Sequence, residues 1–194
     1  MLVSDVDEDS ATRQAVLRYG ELGPKDVALL LARAKCEAVT QRLAEDDCPQ
    51  DAPIGALVLG CDSVLELDGE VHGKPADEVQ AVSRWKRMRG RSGVLHTGHW
   101  LIDDRDDSDG GTGATMGAVA STTVHFAKVS DEEITAYVAS GEPLQVAGAF
   151  TIDGLGGPFV TGIEGDHHNV VGISLPLLRE MLGEISVSWF QLRS

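Results

Sequence analysis

Cysteine is scarce in this 194-residue chain, and its pattern is uninformative in a useful way: Cys36, Cys48 and Cys61 are odd in number, widely spaced and free of any Cys-x-x-Cys pair. Neither a disulfide framework nor a zinc site follows from them. No apolar run approaches the roughly 18 residues a membrane helix needs, and the first residues lack the charged-then-apolar layout of a signal peptide. A cytoplasmic protein is the expectation. Positive charge is also short, with 16 Lys and Arg against 31 Asp and Glu and a formal net charge of −15. A surface of that sign repels both a nucleic-acid backbone and an anionic membrane, so neither polymer nor bilayer is expected as a partner. A small anion would have to be received at a local positive site, together with its own cation. Aromatic residues make up only 5%, while apolar residues reach 42%. The core must therefore be built mostly from Val, Leu, Ile and Ala, which suits a sheet flanked by helices.

The length fits one domain, and no repeat or linker divides it. After an acidic start over residues 1 to 12, Pro24 opens a helix that runs to about Leu43, with Val27, Leu31, Ala34 and Ala38 at helical spacing. Cys48 to Pro53 reads as a loop. The apolar run Gly55 to Cys61 reads as a strand covered on both faces that ends at Asp62, followed by a hairpin turn at Asp68-Gly69. A helix from Asp77 to about Met88 has a basic end, which complements the helix dipole. Val94 to Ile102 and Ala118 to Ala127 read as strands, with residues 103–116 between them as an exposed charge- and glycine-rich loop. Ser130 and Glu133 form a capping box that opens a helix closed at Gly141. Tight turns are expected from Gly154 to Gly165, a helix from Pro176 to Gly183, and an edge strand over Val187 to Leu192. Strands alternating with helices around an inserted hairpin predict an α/β protein with a mixed sheet flanked by helices.

The chemistry concentrates around Asp62. Ligands in open α/β sheets sit beyond the carboxyl ends of strands, and a hairpin at Asp68-Gly69 would carry Lys74 back towards that end. A carboxylate and an ammonium facing one cleft is what a metal-bound polyphosphate requires. Lys35 lies against the apolar stripe of its own helix, so it either snorkels to water or reaches an anion. The pair His167-His168 cannot easily share one ion if it lies on a strand, and a structural loop is expected there. The cysteines have no histidine partner that the sequence reveals, so a thiol nucleophile has no support.

Several blocks carry a resemblance, in order: Cys61-Asp-Ser-Val64, Gly69-Glu-Val-His-Gly-Lys-Pro75, Gly90-Arg91, Thr97-Gly98, then Glu142-Pro143, Ala147-Gly-Ala-Phe150, Ile152-Asp-Gly154, Gly165-Asp166 and Asn169-Val-Val-Gly172. Together they resemble the Maf family of nucleoside triphosphate pyrophosphatases. The resemblance implies a Maf/ITPase-like fold of two lobes about a cleft and a homodimer. It also implies hydrolysis of nucleoside triphosphates, including non-standard or modified ones, to monophosphate and pyrophosphate by a water activated with Mg²⁺ or Mn²⁺. Asp62 and Glu8 are then the metal ligands and catalytic acids, with Asp62 as base. Lys35, Lys74, Arg91, Thr97 and Asp153 are then the substrate contacts. Asp153 stands where many family members carry a glutamine, and an ionised aspartate only accepts hydrogen bonds, so base preference stays open. The family's opening strand and phosphate-binding Ser-Pro-Arg-Arg segment have no match here. That leaves a truncated start, or a relative that binds nucleotide without hydrolysing it, as the alternatives.

Overall fold

The computed structural model describes residues 2–45 and 55–193, so the loop expected from Cys48 to Pro53 lies outside the described residues. In chain order the helices and strands are α1 (Glu8–Tyr19), α2 (Pro24–Ala44), β1 (Leu57–Leu67), β2 (Glu70–His72), α3 (Glu78–Met88), β3 (Ser92–Asp103), β4 (Thr115–Phe126), α4 (Asp131–Ala139), β5 (Val160–Glu164), α5 (His167–Val171) and α6 (Leu175–Glu184). The strands form one sheet in the order β2-β1-β3-β4-β5. This is the α/β architecture expected from the alternation of elements. The chain resolves into two compact units made of interleaved segments. Met1–Asp62, Gly98–Val119 and Leu175–Ser194 form one; Ser63–Thr97 and Ala120–Ser174 form the other. The long strands β1, β3 and β4 therefore each supply residues to both units.

In the first unit, α1 begins because Asp7 accepts a hydrogen bond from the Ser10 amide at its N-terminus. The acidic start is thus helical from Glu8. Pro24 sits in the first turn of α2, where its missing N–H is no loss. Ala28, Ala32 and Cys36 recur every fourth residue of α2 and are all buried. They face glycines: a Cβ at Gly60 of β1 would come within 2.6 Å of Cys36 Cβ, and one at Gly98 of β3 within 2.7 Å of Leu29 Cα. Small residues on the helix and none on the strands let backbone approach backbone. A separate apolar cluster of Leu101, Met181, Leu182, Ile185 and Val187 seats α6.

The second unit is built on Leu65, Leu67, Leu95, Val124 and Phe126 from the strands, packed against Ala81, Trp85 and Met88 of α3 and Ile134, Tyr137 and Val138 of α4. Trp85 meets Phe126, Tyr137 and Phe159 edge-on and donates from Nε1 to the Ala149 carbonyl at 2.8 Å. Five of the nine aromatic residues belong to this unit, which the composition alone did not show. β1 and β2 pair antiparallel with Leu67 opposite Glu70, so Asp68 and Gly69 form the expected two-residue turn, both with positive φ. The Ser130–Glu133 capping box is present.

Four expectations change. β1 does not stop at Asp62 but continues to Leu67, placing Asp62 mid-strand; the strand is longer because the Leu65 and Leu67 side chains beyond it still enter a core. The exposed loop set at 103–116 is shorter at both ends. Asp103 closes β3 and is buried, accepting from Arg105 and Thr112, and β4 begins at Thr115. Residues 167–171 are a short helix capped by Asp166, not a loop. The terminal segment is a 3₁₀ turn over Trp189–Arg193 in place of an edge strand.

Candidate active site

Close approach of α2 to β1 sets the geometry of the first unit's polar cluster. Cys36 lies against Gly60, which leaves Lys35, one residue earlier, at the edge of that contact. Asp62 is two residues beyond Gly60 and so on the same face of β1. The Lys35 ammonium forms a short ion pair with the Asp62 carboxylate and a second one, at 2.8 Å, with Glu8 Oε1 in the first turn of α1. Side-chain exposure is 21% for Lys35, 11% for Asp62 and 34% for Glu8. The three groups the resemblance singled out in this unit therefore meet at one charge. Burial opposes the ammonium, but attraction and hydrogen bonds from Asp62 and Glu8 outweigh it and lift Lys35 above its ordinary pKa. Lys35 is fully protonated at neutral pH.

The neighbouring thiols are inert by comparison. Burial pushes Cys61 up to about 12 and Cys36 up to about 11, and Cys36 Sγ donates to the Val58 carbonyl at 3.3 Å. Neither supplies a thiolate at neutral pH. Among the described residues no group of three or more His, Cys, Asp or Glu side chains is arranged to hold a metal ion. His168 is instead tied to Asp166 through Nδ1 at 2.9 Å.

The remaining candidate residues belong to the second unit. Lys74 is exposed two residues after β2, between Gly73 and a buried Pro75. Thr97 is fully buried, its hydroxyl 2.8 Å from Ser63 Oγ and donating to the Asn169 carbonyl at 3.2 Å. It braces Ser63 and α5 and presents no open hydroxyl of its own. Arg91 is exposed and donates to Asp68 of the hairpin turn through Nη1 and Nη2. Asp153 is exposed within the glycine-rich stretch.

A family model described as Maf-like protein matches residues 1–185 of the chain. The chain belongs to the Maf family. It is 56% identical over 189 residues to a nucleoside triphosphate pyrophosphatase of Salinispora tropica, covering 96% of this chain and 74% of that protein. Proteins of the same name from Streptomyces avermitilis and Leifsonia xyli are 50% and 49% identical. Those alignments cover 99% and 97% of this chain, and 82% and 84% of the respective relatives.

Two groups in this Maf protein escaped sequence reasoning. Glu142 accepts hydrogen bonds from the Thr151 and Tyr137 hydroxyls and from the Leu155 and Gly156 amides, the latter two at 2.9 and 3.0 Å. Burial disfavours its charge, yet these donors hold the carboxyl at about 2. It thereby orders the segment carrying Asp153. Arg84, read as one of several dipole-complementing cations on α3, is only 6% exposed. The signal for Glu142 was the Glu-Pro dipeptide after Gly141; for Arg84 it was the helical spacing of Arg84 from Ala81 and Met88, three and four residues away on the buried face.

Proposed function

We propose that this chain is a nucleoside triphosphate pyrophosphatase, in which Glu8 and Asp62 hold a divalent cation and Asp62 is the base. The observation that carries this reading is the convergence of both carboxylates on one positive centre, the Lys35 ammonium. Such a donor set fits Mg²⁺ or Mn²⁺: Mg²⁺ is commonly bound by one or two carboxylates, with substrate phosphates and water completing the shell. When bound, the ion would lower the pKa of a coordinated water and screen the phosphate oxygens.

The reaction is displacement at the α-phosphorus: a water oxygen forms the new P–O bond and the bond to the bridging oxygen of pyrophosphate breaks. Nucleoside monophosphate and pyrophosphate leave. Asp62 accepts the proton lost by the water. Lys35, held charged by its two acids, offsets negative charge on phosphate oxygens. Lys74 is the second phosphate contact on this reading. Arg91 and Asp153 stand as further substrate contacts. The names of the relatives support the substrate class; the carboxylate pair supports the chemistry.

The test is pyrophosphate release from a panel of standard and modified nucleoside triphosphates, with Mg²⁺, with Mn²⁺ and with chelator. Release that requires metal and is lost in Asp62→Asn is expected. Nucleotide-dependent thermal stabilisation with no pyrophosphate under any condition would replace this reading with a binding function.

A further inference from the structure

Arg84 is a guanidinium buried on α3 without a carboxylate to pair with it among the described residues. Its Nη1 donates to the Gly73 carbonyl at 2.6 Å and its Nη2 to Gln80 Oε1 at 3.4 Å. The same Gly73 carbonyl accepts the Gly148 amide at 3.1 Å. Gln80 Oε1 in turn accepts the Ala76 amide at 2.8 Å. Gln80 is itself fixed through its own amide, which donates to Asp77 Oδ1 at 2.7 Å at the start of α3. The two side chains, one turn apart on one helix, thus grip the backbone at residue 73 and at residue 76. Lys74 lies between those grips, and Pro75 beside it is buried with its φ set by its ring.

The Gly73 carbonyl is held by two hydrogen bonds, from Arg84 and from the Gly148 amide. Residues 73–77 also belong to no helix or strand, so no ladder fixes them. A buried guanidinium is an expensive donor unless it is needed, and burial together with Arg87 does lower the Arg84 pKa from its ordinary value. A planar fork offers several donors in one fixed geometry, which a flexible ammonium does not.

We infer that Arg84, with Gln80, is a positioning residue that presents Lys74 to the phosphate chain of the substrate. The inference rests on the reading of Lys74 as a phosphate contact. A brace of this kind has its effect through Lys74 alone, and that property separates it from general support of the fold.

The experiment is a double-variant comparison of kcat and KM for pyrophosphate release, using Lys74→Met, Arg84→Met and both together, with thermal melting alongside. Each single variant should lower kcat/KM about tenfold or more, with the same division between kcat and KM, and the double variant should fall no further than about twofold below Lys74→Met. Arg84→Lys should recover part of the loss. If losses multiply in the double variant, Arg84 acts independently of Lys74 and the inference is overturned while the phosphate reading stands. If Lys74→Met leaves kcat/KM unchanged, both are overturned, the reading of Lys74 first. Should Arg84→Met melt below the assay temperature, Gln80→Leu replaces it in the same comparison, with the same two deciding outcomes.

Discussion

Replacing Asp62 with asparagine separates chemistry from stability at one position. The side chain keeps its size and one acceptor oxygen but loses its charge. Breaking a buried ion pair by removing one partner costs about 3–5 kcal/mol because the other charge is left uncompensated. Here Lys35 keeps Glu8 at 2.8 Å, and Lys35 itself is 21% exposed, so the remaining ammonium is neither unpaired nor dry. The expected loss is therefore smaller, about 1–2 kcal/mol, since one of two partners survives. For a chain of this length each kcal/mol shifts Tm by roughly 2–4 °C, giving a fall of about 2–8 °C. A protein with ordinary stability of roughly 5–15 kcal/mol stays folded at 25 °C after such a loss. Removing a general base lowers the rate by about 10²–10⁴. Pyrophosphate release and a melting curve on the same preparation then answer the question. Activity should fall at least a hundredfold in protein that is still folded at the assay temperature. Wild-type kcat/KM within threefold, with the small Tm shift present, would refute the assignment of Asp62 as base.

Gly60→Ala should cost about 1–3 kcal/mol, because the new methyl would overlap the backbone and side chain of Cys36 and push α2 off β1. It should also reduce activity by moving Lys35, whereas Gly20→Ala, at a positive-φ position with open space around it, should destabilise without touching turnover. Glu142→Gln should destabilise by about 1–2 kcal/mol at neutral pH, since it weakens four charge-assisted hydrogen bonds at a carboxyl that solvent partly screens. Its folded pKa lies below its unfolded one, so that stability is complete above about pH 4.5 and disappears as pH falls towards 2; denaturant melts of variant and parent should converge over that window. Cys36 and Cys61, with thiols pushed up to about 11 and 12, should resist iodoacetamide at pH 7.5 in the native protein and react on unfolding, as read by mass spectrometry.

Local signals were legible wherever the chain's own neighbours decide the outcome. Pro24 at a helix start, the Asp68-Gly69 turn and the Ser130 capping box each depend on residues a few positions apart, and each formed as read. The motif order also carried family membership. What failed locally failed for a nonlocal reason. β1 runs through Asp62 because Leu65 and Leu67 find a core made by α3 and α4, far along the chain. Trp189–Arg193 forms a 3₁₀ turn although its composition suits a strand.

The amino-acid order alone determined which residue types were available: two acids and a lysine in matching positions, a surplus of negative charge, and small residues at every fourth place on one helix. Only tertiary packing decided that Glu8 and Asp62, 54 positions apart in the sequence, share the charge of Lys35. The same packing turned Arg84 from a surface cation into a buried brace. The reason is range. Turns and caps are settled by hydrogen bonds within one loop of chain, whereas the environment of a charge depends on which distant backbone comes near enough to bury it, and here that was set by the absence of a side chain at Gly60 and Gly98.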